Sequence, residues 1–318
     1  MLSRVAESIY WMNRYIERAE NNARFLDVNF NLVLDLPTGF EEQWKPLLHA
    51  TASVGFFNSL YGEVNRNNVI RFIGFDRRNP NSIYNCIAQA RENARAVREN
   101  LTKETWEQIN NLYLTVLKGE PGRGKDPRLF FESIKHGCQL LYGITDSTVS
   151  RTEGWHFGRI GQMLERADNT SRMLDVKYHI LLPSIAAVGT TVDIIQWAAL
   201  LRSVSAYNMY RRKHGKIVPF NIAQFLLLDE QFPRSVFFSV IKAEESLYQI
   251  LGGEQGGYRN KAEQNLGKLR SELEYADMND IFTSGLHEYL DGMQIKLIGV
   301  ANALHGVYFS YNLNDQQA

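Results

Sequence analysis

Two stretches of thirteen residues carry the same polar side chains, and side chains of these types could bind a charged ligand. IERAENNARFLDV (16–28) and LERADNTSRMLDV (164–176) are identical at eight of thirteen positions. The residues of interest are Glu17, Arg18, Asn21 and Arg24 in the first stretch and Glu165, Arg166, Asn169 and Arg172 in the second. Arginine offers a planar fork for a carboxylate or phosphate, glutamate accepts from an amine or an arginine, and asparagine both donates and accepts. Together they suit a zwitterionic or peptide-like ligand.

In each stretch the Glu, the Asn and the second Arg fall on one stripe of a helix, opposite an apolar side. Arg18 and Arg166 lie at the shoulder between the two faces. Three interpretations stay open: a solvated helix face, a buried Glu–Arg network that fixes how two parts of the chain dock, or a ligand site. An enzyme is a further alternative. In that case Glu17 or Glu165 acts as a general base, which requires a pKa raised by burial.

A second candidate is the basic stripe of ARENARAVREN (90–100), which consists of Arg91, Arg95 and Arg98. The equivalent positions 153 residues later carry no arginine, so an anion site here would draw its arginines from the first half alone. The alternative is an exposed charged face on a long helix.

The third candidate is a pair of predicted helix starts, DRRNPNS (76–82) and DEQFPRS (229–235). Proline at a first helical position, next to a polar side chain, indicates a helix N-terminus. Two roles fit the polar residues: they anchor the preceding loop, or they form an anion seat at the positive end of the helix. The residues concerned are Asp76, Ser82, Asp229, Arg234 and Ser235.

The elements that must position these residues are helices, because the apolar spacing is helical almost throughout. From Ser82 to Lys118, for example, apolar residues recur at steps of three and four. Trp44 and Trp197 extend the internal similarity at an offset of 153, and a five-residue insertion in 181–193 explains the change from 148. We therefore predict an all-α bundle of two pseudo-symmetric helical copies, residues 1–150 and 151–318, packed as one compact domain in which the two Glu-Arg helices meet.

The composition narrows the functional classes. Lys+Arg and Asp+Glu balance at 35 each, which gives no overall field for nucleic acid or an anionic membrane. Two cysteines give no disulfide framework and no zinc-type spacing, and no long apolar segment is present, so we expect a cytoplasmic protein. Gly-rich phosphate loops, G-x-S-x-G and H-E-x-x-H are absent, and we expect neither a metal nor a cofactor.

Three segments resemble the bacterial alpha-E family, an all-helical group named for its Glu-Arg motif. They are LSRVAESIYWMNRYIERAENNARFLDV, ARENARAVREN and FLLLDEQFPRSV, and the resemblance covers essentially the whole chain. It implies an association with an ATP-grasp ligase and a transglutaminase-like protein, in the formation or modification of peptide or amide bonds. The family offers no catalytic residue. Only its motif positions carry over, as Glu17, Arg18, Glu165 and Arg166.

The leading functional prediction is a helical binding or scaffold protein. It holds an ATP-grasp-type ligase, a transglutaminase-like partner or a peptide-like substrate through the Glu/Arg/Asn stripes. The alternatives are an enzyme of amide-bond chemistry and a purely structural dimerisation module, which leaves a homo-oligomer open. The sequence does not decide whether the protein catalyses a reaction.

Overall fold

A computed structural model of the chain describes residues 1–35, 44–119, 126–177, 190–252 and 258–310, and within these ranges it contains helices and no strand. The predicted all-α class is confirmed. The helices up to residue 150 are α1 (Ser3–Asp35), α2 (Lys45–Ala50), α3 (Val54–Leu60), α4 (Arg66–Ile70), α5 (Ile83–Ala96), α6 (Lys103–Lys118) and α7 (Arg128–Thr148). Those that follow are α8 (Glu153–Asp175), α9 (Thr191–Ser203), α10 (Tyr207–His214), α11 (Pro219–Leu228), α12 (Val236–Ile250), α13 (Lys261–Glu274), α14 (Met278–Ser284) and α15 (Leu286–Leu304).

The long helices α1 and α8 form the centre of the fold, and they carry the two thirteen-residue stretches. They pack against each other, α1 also against α5 and α7, and α8 also against α12 and α15. Glycine permits the close crossing of the central pair, since a Cβ on Gly161 would lie 2.5 Å from the backbone oxygen of Tyr10. The expectation that the two Glu-Arg helices meet is therefore met.

Two hydrophobic clusters flank the central pair. One is built on α5, α6 and α7, and the other on α11, α12, α13 and α15. Helix α1 contributes to both, because Tyr10 belongs to the second cluster and Ile9 to the first. Burying this single helix in two clusters ties the clusters together.

A small apolar cavity of about 50 Å³ lies between the ends of α1 and α8 on one side and α2 and α9 on the other. Its lining residues come in pairs at the two sequence offsets. All but Leu32 and Gln196 fall into six pairs: Phe25 with Met173, Val28 with Val176, Asn29 with Lys177, Pro46 with Ala199, Leu47 with Leu200, and Ala50 with Ser203. This pairing is what a pseudo-two-fold axis through the cavity would produce. The insertion that we place in 181–193 lies largely outside the described residues, and the duplication itself stays an inference from the sequence.

The apolar stripe from Ser82 to Lys118 does not form one helix. Helix α5 ends at Ala96, a short 3₁₀ turn spans Arg98–Asn100, and α6 begins at Lys103. Thr102 caps α6, because its hydroxyl accepts from the backbone N–H of Thr105 at 3.3 Å. The regular spacing concealed this break, since the apolar residues of two antiparallel helices face the same core.

Candidate functional site

The two Glu-Arg motifs bind each other across the α1–α8 interface. Arg166 donates from Nε and Nη2 to the two carboxylate oxygens of Glu17, at 2.9 and 2.8 Å. Arg18 donates in the same way to Glu165, at 2.6 and 2.9 Å. Both glutamates are buried, with 0% and 2% of their surface exposed. The solvated-face interpretation is therefore wrong, and the geometry is that of a docking network. We call these two reciprocal bidentate pairs the Glu–Arg exchange.

On the Glu17 side, further donors enclose the carboxylates. Arg234, which precedes α12, donates to Glu17 Oε1 at 3.0 Å and to both carboxylate oxygens of Glu20 at 2.8 Å. Tyr142 on α7 adds a hydroxyl donor to Glu17 at 3.0 Å. Arg24 reaches Glu20 one helical turn along α1. Glu17 and Glu20 thus share three arginines, and both are fully buried.

On the Glu165 side, the second arginine comes from α1 itself. Arg14 donates from Nε to Glu165 Oε2 at 2.9 Å and from Nη1 to the hydroxyl of Tyr10 at 3.1 Å. Its guanidinium also lies over the ring of Trp11, 5.1 Å from the centroid. Asn169 donates to the backbone oxygen of Glu165 at 2.9 Å. Glu165 therefore has two arginines and, behind them, an aromatic wall.

The arginines decide the protonation of both glutamates. Burial raises the pKa of Glu165, but the charges and hydrogen bonds of Arg18 and Arg14 outweigh it and bring the pKa down to about 2. Burial also raises the pKa of Glu17, but Arg166 and Arg234 outweigh it and hold that pKa well below the ordinary value. Both side chains are ionised and fully bonded at neutral pH, which does not favour either as a general base.

The remaining polar residues of the two stripes have separate surroundings. Asn21 accepts from Arg234 at 3.0 Å, while its Nδ2 is buried without a hydrogen-bond partner in the described part of the chain, as is Nε of Arg24. Arg172 pairs with Asp168 one turn away, Nε to Oδ2, at 2.8 Å. This pair is the counterpart, 148 residues later, of Arg24 and Glu20.

A cavity of about 320 Å³ opens beside the Glu165 side of the exchange, between α1, α8 and α15. Arg14, Arg18, Asp168 and Arg172 line it together with aromatic and aliphatic side chains that include Trp11. Among the described residues, Asp168 Oδ1 is buried without a hydrogen-bond partner, and the only side-chain hydrogen bond of Arg172 is the one from Nε. The cavity, which we call the Arg172 cleft, thus offers a guanidinium for a carboxylate and a carboxylate for an amine.

The structure does not bring Arg91, Arg95 and Arg98 to this cleft. Arg91 donates to Asn110 of α6 at 2.9 Å, and its guanidinium lies 4.6 Å from the ring centroid of Tyr113. Arg95 is exposed and forms an ion pair with a neighbouring glutamate at 2.5 Å. Arg98 is also exposed, and its guanidinium lies over the ring of a tryptophan on α6. The stripe therefore faces α6 and solvent.

The predicted helix starts are real, although proline does not occupy the first helical position. Ser82 and Ser235 are the N-caps of α5 and α12 and accept from backbone N–H groups at 3.2 and 3.0 Å. Each proline precedes its cap by two residues. Asp76 accepts from the backbone of Arg78 at 2.9 Å and Asp229 from that of Phe232 at 2.7 Å, so both carboxylates anchor the loop. Arg234 belongs instead to the Glu17 side of the exchange.

Sequence reasoning missed three residues that complete the site: Glu20, Tyr142 and Asp168. Glu20 and Asp168 are both acidic at equivalent positions, a signal that a count of identical residues overlooks. Tyr142 gave no signal, because α7 has no recognisable counterpart in the sequence of the second half. Long-range packing alone brings it to Glu17.

The comparisons with known proteins agree with this architecture. A family model described as a predicted alpha-helical domain with a conserved ER motif matches residues 1–309. Uncharacterised proteins of Mycobacterium bovis and of two strains of Mycobacterium tuberculosis are each 25% identical over 327 residues. Each match covers 95% of this chain but only 36% of the relative, so the chain spans about a third of the length of these proteins. No solved structure matches.

In the described ranges, no helix is both long enough and apolar enough to cross a bilayer.

Proposed function

The chain belongs to the Alpha-E family of helical domains, and from that premise we propose that it is a binding protein. It holds a zwitterionic, peptide-like ligand in the Arg172 cleft. It acts with an ATP-grasp-type ligase or a transglutaminase-like protein. The ligand's carboxylate binds Arg172 and its amine binds Asp168. The Glu–Arg exchange itself is the rigid frame that positions α1 and α8 around the cleft.

One observation carries the proposal: Asp168 lines the cleft next to the exchange, and its Oδ1 has no hydrogen-bond partner in the described part of the chain. A buried polar atom of this kind costs about 1–3 kcal/mol when it lacks a hydrogen bond. Asp168 Oδ1 is such an atom, and Arg172 beside it has donors to spare. An ammonium and a carboxylate on the same ligand satisfy both.

The lengths of the relatives support a partner. In the mycobacterial relatives, the matching region is joined to a much longer remainder of the polypeptide. In those proteins the helical domain is held close to the rest of the polypeptide by the covalent link. This arrangement fits a module that presents a ligand to a second protein. A cytoplasmic location, where ATP is available, belongs to the same proposal, and the buried Cys86 and Cys138 are free thiols.

The geometry gives less support to an enzyme. Glu17 and Glu165 are saturated by arginine donors, which hold the pKa of both carboxylates far below neutral and make each a weak base at neutral pH. Among the described residues the thiols of Cys86 and Cys138 are buried, and burial raises the pKa of Cys86 to about 12, which suppresses its nucleophilic form. The site binds charged groups without supplying a nucleophile.

Isothermal titration with L-alanyl-L-alanine tests the ligand class. We expect saturable binding of the dipeptide, with at least a tenfold loss on N-acetylation, on C-terminal amidation, and in the Asp168→Asn and Arg172→Gln variants. Arg95→Gln, an exposed arginine on α5, is the matched control and should bind as the wild type does. Absence of binding, or equal binding by all variants, would contradict the proposed ligand.

A separate experiment tests the partner. The protein and an ATP-grasp-type ligase from the same genome are purified together, and the ATP turnover of the ligase is measured with and without this chain. We expect a stable complex and a change in turnover. If neither is observed, the proposed partner is wrong, while the ligand proposal stands or falls by the titration.

A further inference from the structure

Arg159 on α8 is an arginine of the central helix pair that lacks an acidic partner. It is partly buried, and its Nη1 donates to Gln162 Oε1 at 3.0 Å. Within the described ranges it forms no ion pair, in contrast to Arg14, Arg18, Arg166 and Arg172 on the same two helices. A partly buried cation without a counter-ion is an exception in this interface.

The surroundings of Arg159 make its charge costly. The pKa of Arg159 is lowered, mainly by burial and in addition by the positive charge of Arg166. The negative charges of Glu17 and Asp146 act in the opposite direction. Glu17 is already paired with Arg166 and Arg234. Withdrawing a guanidinium from water without an anion is unfavourable, and an anion that binds beside it removes the penalty.

Arg159 lines a cavity of about 160 Å³ between α1, α7 and α8, on the Glu17 side of the exchange. Ile9, Met12 and Trp155 supply apolar walls, and Gln162 lies next to the guanidinium. Among the described lining residues Asp146 is the one carboxylate; it is 71% exposed and pairs with Arg151 at 2.8 Å. It therefore leaves the charge of Arg159 largely uncompensated.

We propose that this cavity is a second ligand site, which binds a monocarboxylate with a compact apolar body. The carboxylate accepts a bidentate pair of hydrogen bonds from Arg159, and the apolar body packs against Ile9, Met12 and Trp155. The volume suits a ligand of about the size of benzoate, since a cavity of roughly 150 Å³ accommodates a benzene ring. This site is separate from the Arg172 cleft on the other side of the exchange, and it does not depend on the proposed function.

Two uncharged analogues give a test that needs no variant. Wild-type protein is titrated with benzoate, benzamide and benzyl alcohol, and both heat and thermal unfolding are followed. We expect saturable binding of benzoate and a melting temperature that rises with its concentration. The neutral analogues should bind at least tenfold more weakly. Equal binding of all three, or no saturable response to benzoate at millimolar concentration, would overturn the proposal.

The variant Arg159→Met assigns the site, because it keeps an unbranched apolar stem and removes the charge. We expect at least a tenfold loss of benzoate affinity and an unliganded melting temperature no lower than that of the wild type. Arg151→Gln on the rim and Arg172→Gln in the other cleft are controls that should keep the affinity. If Arg159→Met binds benzoate as well as the wild type, or is markedly less stable without ligand, the assignment is wrong.

Discussion

The two sides of the Glu–Arg exchange use the same pair in different surroundings. Glu17 lies behind Arg166 and Arg234, whose side chains are 9% and 12% exposed. Glu165 lies behind Arg14 and Arg18, which are 13% and 22% exposed and border the Arg172 cleft. Arg234, from a distant helix start, covers the Glu17 carboxylate, whereas the two arginines that bind Glu165 themselves line the larger of the two cavities beside the exchange.

This difference separates stability from binding within one motif. Asn81 stands where the sequence offset places the counterpart of Arg234, and it accepts from Arg18 at 2.6 Å instead of adding a charge. Arg234 closes the Glu17 side, whereas the Glu165 side has no equivalent arginine from the preceding helix start. We infer that the arginines on the Glu17 side hold the two halves together, while those on the Glu165 side border the Arg172 cleft and are available to a ligand there.

The largest expected effect comes from neutralising each glutamate in turn. Glu17→Gln leaves the buried Arg166 without its anion and takes one of two anions from Arg234. The free energy of unfolding should fall by an amount near the upper end of about 3–5 kcal/mol. Glu165→Gln should cost towards the lower end of that range, because solvent in the cleft screens Arg18. Urea unfolding of both variants measures the difference. A larger loss for Glu165→Gln would reverse our assignment of the two sides.

Acid should act through the same carboxylates. The pKa of Glu165 is depressed to about 2 in the folded state from an ordinary value of 4.5, so its contribution is present above pH 4.5 and is lost as the pH falls towards 2. A shift of this size corresponds to about 3 kcal/mol. We expect the unfolding free energy of Glu165→Gln to fall less steeply in this window than that of the wild type. Parallel curves would show that Glu165 is not the titrating group.

The close helix crossing gives a smaller and more local effect. Gly161→Ala places a methyl group 2.5 Å from the backbone oxygen of Tyr10, which should cost about 1–3 kcal/mol by forcing α1 and α8 apart. Gly143→Ala on α7 is the matched control, since a methyl group at that position would have nothing within 4 Å. It should be neutral or stabilising by up to about 1 kcal/mol. Chemical denaturation distinguishes the two, and an equal response would argue against the close contact.

The smallest effect tests where the two halves are alike. Ser82→Ala and Ser235→Ala each remove the N-cap hydrogen bond of α5 or α12 and should each cost about 1 kcal/mol. Thermal unfolding of the two variants should give similar shifts. If one cap proves several times more costly than the other, the helix starts are not equivalent despite their shared sequence pattern.

The fold class and the meeting of α1 and α8 could be predicted from the sequence, because helical periodicity and a repeated motif are both local signals. The exchange between the motifs could not. Periodicity places Glu17 and Arg18 on a helix surface but does not say that the surface faces another helix. The same limit concealed the break between α5 and α6, where two antiparallel helices present one continuous apolar pattern.

The sequence predicted the motif residues of the site but not the contacts made by the residues around them. Glu17, Arg18, Glu165 and Arg166 carry the repeated pattern and form the exchange. Arg234 was expected to anchor a loop or to help form an anion seat at the helix start. It instead reaches Glu17 across 217 residues of sequence, because α12 packs on α8. No feature near residue 234 announces that contact. The arginines of residues 91–98 looked basic in sequence but make their contacts with α6.

The participation of α1 in both hydrophobic clusters has a consequence for synthesis on the ribosome. The first 150 residues include Glu17 and Glu20, but Arg166 and Arg234 are translated later. Until then the amino-terminal half would have to bury two carboxylates with Arg24 as the only one of their three arginines. Burial of α1 should therefore wait for α12, and the nascent chain completes its first core only after most of the second has been made.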